Sequence, residues 1–288
     1  MRPRHGQTLT VTRPGRWVPR LPRLSWPRWR GLAAVAGIAA TLVLALVGAA
    51  APRTAAAPRT RAAAPRTAAA PRTRAAAPAR TAARRTSCSS VAHIGDSTSA
   101  DLISSADLPD PAQQLPARYA DVGVRHLQID ASGGRSIVET LPGQVNGYNV
   151  ALSWWNAGYR GCWVFALGTN DAANVAAGSS VGMMARIQEM MSVAHGEPVM
   201  WVNTVTQLSS GPYAEANEQL WDSTLLRALA MYPNMRIFDW AAVAQPSWFL
   251  ADGIHYNSAG CAARAQAIAD ALAQAFPLHG HGRSPIVR

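Results

Sequence analysis

No lysine occurs in the 288 residues of this chain, so all 27 basic residues are arginine. Genomic base composition accounts for that bias without a functional reason. Acidic residues are missing from the whole of 1–86, which holds 17 of the arginines, while all 16 acids fall in 87–288 beside the other 10 arginines. The formal net charge of +11 therefore divides into +17 for the N-terminal region and −6 for the rest. A strongly basic chain suggests contact with nucleic acid or a membrane. The split removes that implication from residues 87–288, for which no nucleic-acid partner is expected. Cysteine is scarce and odd in number, three in all, which excludes complete pairing within one chain.

Residues 31–51 lack charge, proline and a polar face. A helix packed on the core of an ordinary globular domain keeps a polar face, so the run does not read as a core helix. At about 1.5 Å per residue it is long enough for a hydrocarbon core of roughly 30 Å. Trp26 and Trp29 stand just before it, where an interfacial aromatic belt would lie. It reads as a transmembrane signal anchor, the alternative being a signal peptide ending near Ala49 and Ala51. The run exceeds the usual apolar region of about 7–15 residues in a signal peptide, which favours the anchor. Six arginines in 11–30 against four in 52–71 keep the N-terminus on the cytoplasmic side.

Four segments follow. Residues 1–30 read as a basic, disordered cytoplasmic stretch and 31–51 as the span. Residues 52–86 read as a low-complexity Ala/Pro/Arg/Thr spacer in which Ala-Pro-Arg-Thr recurs at 51, 57, 64 and 70. Residues 87–288 read as one domain. In that domain, short runs rich in β-formers at 91–94, 124–129, 162–167, 199–205 and 235–238 alternate with helical patterns. The helices are expected near 98–106, 111–121, 144–158, 179–194, 214–231 and 258–276. Such alternation predicts an α/β fold with a parallel sheet covered on both faces. Ligands in such sheets bind beyond the carboxyl ends of the strands, where Ser97 and Asn170 follow the first and third runs.

Gly95-Asp96-Ser97, Ser132-Gly133-Gly134, Gly168-Thr169-Asn170-Asp171 and Asp252-Gly253-Ile254-His255 carry the chemistry. A serine hydroxyl needs a base to take its proton as it attacks, and His255 is the candidate. Asp252, three residues earlier, is placed to accept from the imidazole and hold its tautomer. Each part also has a plain structural reading. Ser97 would cap the next helix, Asn170 would shape a turn, and His255 would be a surface histidine. Asp96 and Asp171 read as structural acids bonding local backbone amides. His93 and His126, inside expected strands, read as core or helix-facing groups. Trp154, Trp155, Trp163 and Trp201 read as core aromatics.

Taken together, Gly95-Asp96-Ser97, Gly134, Gly168-x-Asn170-Asp171 and Asp252-x-x-His255 resemble the four blocks of the SGNH (GDSL-type) hydrolases over about 88–276. The last stretch is also similar to SGNH domains of actinobacterial cell-envelope proteins. The resemblance implies a flavodoxin-like three-layer sandwich with a five-stranded parallel sheet, and neither a metal nor an organic cofactor. It implies Ser97, Asp252 and His255 as the catalytic residues and Ser97, Gly134 and Asn170 as oxyanion donors. Gly133 is the competitor to Gly134, which is preferred because Gly134-Arg135-Ser136 matches the family's loop. Thr98 departs from the family's usual leucine, a change expected to alter packing near the acyl group. The family's strand order makes strands one and three neighbours. That implies a Cys88–Cys162 disulfide at the sheet edge opposite the site, leaving Cys261 free; three buried thiols are the alternative.

The function expected is an extracytoplasmic serine esterase acting through a Ser97 acyl-enzyme on O-acyl esters of a lipid or cell-envelope glycan. An O-acyltransferase using the same acyl-enzyme is the enzymatic alternative. A non-catalytic carbohydrate-binding envelope protein is the other, which a substitution in the four blocks would favour and the intact blocks do not. The chain is expected to be monomeric and membrane-anchored through 31–51, or secreted if that run is cleaved.

Overall fold

The computed structural model describes residues 85–280, 282 and 284–288. The basic segment 1–30, the apolar run 31–51 and all but the last two residues of the 52–86 spacer lie outside the described residues. Among the described residues, no helix is long and apolar enough to cross a membrane. The ordered body already includes Arg85 and Thr86. The Thr86 hydroxyl donates to the Phe276 carbonyl at 2.8 Å, and the Arg85 carbonyl accepts from Leu278 N–H at 2.8 Å.

Six parallel strands form the sheet: β1 (Ser90–Gly95), β2 (His126–Ala131), β3 (Cys162–Ala166), β4 (Val199–Val202), β5 (Met235–Phe238) and β6 (Ile286–Val287), in the order β2-β1-β3-β4-β5-β6. The first five follow the flavodoxin-like order 2-1-3-4-5. Seven α-helices are described: α1 (Ser97–Ala100), α2 (Leu115–Asp121), α3 (Gly147–Asn156), α4 (Thr169–Ala176), α5 (Met183–Ala194), α6 (Glu215–Leu229) and α7 (Ser258–Ala275).

Strand side chains alternate between faces, and each face has its own core. Val91, Val164, Met200 and Phe238 pack with Leu115 and Tyr119 of α2 and with Ala265, Ile268 and Leu272 of α7. Ala92, Ile94, Phe165 and Trp201 pack with Val150 of α3, Ile187 and Met190 of α5, and Trp221 and Leu225 of α6. The central strands β3 and β4 are buried along their whole length, as expected of strands covered on both faces.

Four details depart from the sequence reading. Among the described residues the sheet has six strands, not five. Ile286–Val287 pairs with β5 through Ile237↔Ile286 and Phe238↔Val287, covering what would be an open edge. A two-residue strand is too short to show any alternation. Helix α4 was not anticipated, because its inward residues include Thr169, Asn170 and Asp171 and no apolar stripe marks it. His126 is exposed, since it begins β2, which has a neighbour on one side only. His93, by contrast, is buried, its ring nitrogens bonded to the Tyr119 hydroxyl at 2.9 Å and the Ser99 hydroxyl at 3.1 Å. Trp163 and Trp201 are core residues, while Trp155 is only partly buried and stacks on His195 with ring centroids 4.2 Å apart.

At the amino ends of β1 and β3, Cys88 and Cys162 are joined by a disulfide, with Cα atoms 5.7 Å apart and a sequence separation of 74. The pairing Val91↔Cys162 sets the two strands in register there. Cys261 is free and buried.

Candidate active site

The segment after β1 turns abruptly into α1, and Gly95 makes this possible, because a Cβ there would collide with the Ser99 side chain. Asp96 caps the helix by accepting from Thr98 N–H at 2.9 Å. Ser97 is thus the first helical residue, and its N–H has no acceptor within the helix.

Between β5 and α7 the chain makes a tight excursion closed by the Phe249↔Tyr256 bridge. Asp252 Oδ1 accepts from the N–H groups of Ile254 at 2.9 Å and His255 at 3.0 Å. Its other oxygen lies 2.7 Å from His255 Nδ1. His255 Nε2 lies 2.8 Å from Ser97 Oγ, across 158 residues of chain. Partial burial by itself would raise the Asp252 carboxyl. The Ile254 N–H, the His255 ring and the His255 N–H outweigh it and hold the carboxyl below its ordinary value. The group therefore stays ionised and keeps the Nδ1 side of the ring as donor, leaving Nε2 to accept from Ser97.

The loop after β2 carries Gly134 at φ 70°, a left-handed conformation that suits glycine. Two staples bring it to β1: Ser132 N–H donates to the Gly95 carbonyl at 3.3 Å, and the Arg135 guanidinium donates to the same carbonyl at 3.4 Å while holding the Asp130 carbonyl and Asp130 Oδ1 of β2, each at 2.7 Å. Asn170, buried in the first turn of α4, donates from Nδ2 to the Arg135 carbonyl at 3.0 Å. The Gly134 and Asn170 segments are therefore tied to each other as well as to the Ser97 turn.

Below them sits a buried ion network that sequence reading did not single out. The Arg186 guanidinium, fully buried on α5, donates to Asp171 Oδ1 at 2.8 Å, to Ser179 Oγ at 2.7 Å and to both oxygens of Glu139. Asp171 also accepts from Ile137 N–H at 2.9 Å. It thus reaches across 34 residues to the Gly134 loop instead of bonding only its own neighbourhood. The Arg186 hydrogen bonds draw Glu139 down to about 2. A charged residue among the inward positions of an amphipathic helix was the available signal for Arg186.

Thr98 differs from the expectation of a role near the acyl group. Its side chain is buried; the hydroxyl donates to Asp96 Oδ1 at 2.8 Å and accepts from Arg264 Nη2 at 3.3 Å. The polar side chain at this position serves a buried contact between α1 and α7.

Structures of similar fold are known. A carbohydrate acetylesterase family member from Sinorhizobium meliloti is 15% identical, with 64% of this chain and 97% of that one covered and a TM-score of 0.50. The C-terminal catalytic domain of peptidoglycan O-acetyltransferase A from Streptococcus pneumoniae is 17% identical over 64% of this chain and 89% of that one, at a TM-score of 0.45. A member of the lipolytic protein G-D-S-L family from Veillonella parvula is 14% identical over 62% and 94%, at 0.46. At these identities the likeness is one of fold. No protein-family model and no curated protein matches the chain.

Proposed function

We propose that the chain is a serine hydrolase acting on carboxylic esters, with Ser97 as nucleophile, His255 as general base and Asp252 as the group that orients and stabilises the imidazolium. The observation that carries this reading is the continuous Asp252–His255–Ser97 contact at the carboxyl edge of a parallel sheet. In the acylation step Ser97 Oγ bonds to the ester carbonyl carbon while its proton passes to His255 Nε2. Collapse of the tetrahedral adduct expels the alcohol, which takes that proton. Water activated by the same His255 then releases the acid and restores Ser97. The oxyanion is held by Ser97 N–H, Gly134 N–H and the Asn170 amide, each donor worth about 3–4 kcal/mol.

The substrate proposed is an O-acyl ester of a lipid or cell-envelope glycan, outside the cytoplasm. Support comes from the apolar run 31–51 and the spacer behind it, which suit an anchored monomer that works at a distance from a membrane, and from a carbohydrate acetylesterase sharing the fold. No cofactor and no nucleic-acid partner enter this reading. Replacing Ser97 with alanine tests it. Hydrolysis of p-nitrophenyl acetate should fall by about 10⁶-fold in kcat without loss of the fold, and an acyl donor should add its acyl mass to wild-type Ser97 alone. A Ser97→Ala protein that keeps wild-type turnover refutes the assignment. Release of the labelled acyl group by a sugar hydroxyl faster than by water would identify a transferase instead.

A further inference from the structure

We infer that Tyr213 is a positioning residue for the oxyanion site, acting through the Asn170 amide. The inference rests on the reading of Asn170 as an oxyanion donor.

Two bonds fix the Asn170 side chain. Nδ2 donates to the Arg135 carbonyl at 3.0 Å, and Oδ1 accepts from the Tyr213 hydroxyl at 3.0 Å. A carbonyl can only accept, so the Arg135 contact settles which end of the amide is nitrogen, and the phenol is the partner of the oxygen. One Nδ2 hydrogen is used by Arg135, and the second is the one available to a substrate oxygen. Without Tyr213 the carboxamide would be held at one end only, free to swing about the Arg135 contact. With it, the amide plane is set before substrate arrives, which is where an oxyanion donor gains its advantage over water. Accepting a hydrogen bond at Oδ1 also polarises the amide and strengthens its N–H as a donor.

The phenol is itself braced. Tyr213 stands in the connection between β4 and α6, where the Thr206 hydroxyl donates to the Tyr213 carbonyl at 2.8 Å and Thr206 N–H donates to Glu215 Oε2 at 2.8 Å. Gln207 N–H donates to the Gly253 carbonyl at 2.7 Å, inside the Asp252–His255 excursion. One connection therefore touches both the base side and the oxyanion side of the site. Burial, with Asp96 and Glu218 nearby, raises the phenol above its ordinary value, so it remains a donor throughout the neutral range.

The test is a double-mutant cycle on p-nitrophenyl acetate hydrolysis with Tyr213→Phe, Asn170→Ala and the pair. Phenylalanine keeps the ring and its packing and removes only the hydroxyl. Tyr213→Phe should lower kcat by about 5- to 10-fold, with KM changed by less than about 2-fold. In the Asn170→Ala background the same change should cost nothing further. A tetrahedral phosphonate or boronate inhibitor should lose affinity in Tyr213→Phe by the factor lost in kcat. The inference is overturned if Tyr213→Phe leaves kcat unchanged, raises only KM, or lowers kcat as much in the Asn170→Ala background as in the wild type. If Asn170→Ala itself leaves kcat intact, the oxyanion reading of Asn170 fails first, and the role of Tyr213 falls with it.

Discussion

Glu218 lies on the inward face of α6 with Trp221, Leu225 and Ala228. Among the described residues neither of its carboxyl oxygens has a partner in good hydrogen-bond geometry, although the Thr204 side chain favours its charged form. Burial pushes the group from 4.5 up to about 9, against a pull from Thr204 and with a further push from Asp222 and Asp96. The consequence for stability has a definite sign. Below about pH 4.5 both folded and unfolded chains carry the proton, and the group is neutral to stability. As the pH rises, the unfolded chain releases its proton while the folded one keeps it up to about 9. Over that window the unfolded state binds fewer protons, so stability falls by about 1.4 kcal/mol per pH unit from this group alone. Between about pH 5 and pH 7.5 the loss amounts to about 3 kcal/mol, or roughly 5–10 °C in Tm for a domain of about 200 residues.

Replacing Glu218 with glutamine keeps the shape and removes the titration. Near about pH 5 the variant and the wild type should melt within a few degrees of each other, whereas by about pH 7.5 the variant should be more stable by about 3 kcal/mol. Asp171, raised by burial to about 7, gives both proteins a common downward slope that cancels in the difference. Asp222, also raised by burial to about 7 and coupled to Glu218, titrates together with it and belongs to the measured difference. Thermal and urea melts across this range are the assay, with the urea m-value expected to stay constant. Parallel stability profiles for the two proteins would show that Glu218 ionises normally in the folded state and would refute the reasoning.

Two further outcomes follow from the geometry. Replacing Cys88 and Cys162 with alanine opens a 74-residue loop, which on the chain-entropy account costs about 4 kcal/mol. Calorimetry should show the Tm falling by about 10 °C, with ester turnover at room temperature unchanged because the bond lies at the edge away from Ser97. Non-reducing peptide mapping that recovered both cysteines as free thiols would contradict the pairing. Asp252→Asn should lower kcat by about 10³- to 10⁴-fold, less than His255→Ala at about 10⁶-fold, since the base survives while its orientation and charge stabilisation are lost. Equal losses in the two variants, measured by steady-state hydrolysis, would argue that Asp252 does more than orient.

Much of the architecture is legible in the order of residues, for local reasons. The runs at the centre of the sheet are continuous and apolar because β3 and β4 are covered on both faces. Asp252 and His255 are three residues apart, so one turn brings carboxylate and imidazole together whatever the rest of the chain does. Gly95 and Gly134 reveal where backbone crowding or a left-handed turn demands the smallest residue. The helix α4 escaped notice for the opposite reason. It turns polar groups inward to meet the Gly134 loop and Arg186, so its pattern does not look like burial.

Sequence alone determined the alternation of strands and helices, the four blocks and the division of charge at residue 86, all properties of neighbours along the chain. Tertiary structure decided everything that joins distant residues. It set Tyr213 against Asn170 across 43 positions and Arg186 against Glu139 across 47. It turned Thr98 toward Arg264 across 166 and laid the last residues beside β5 as a sixth strand. No residue type or spacing encodes such contacts. A polar side chain finds its partner only after the sheet has ordered its strands and buried both groups, when leaving either one unpaired would cost more than the bond itself is worth.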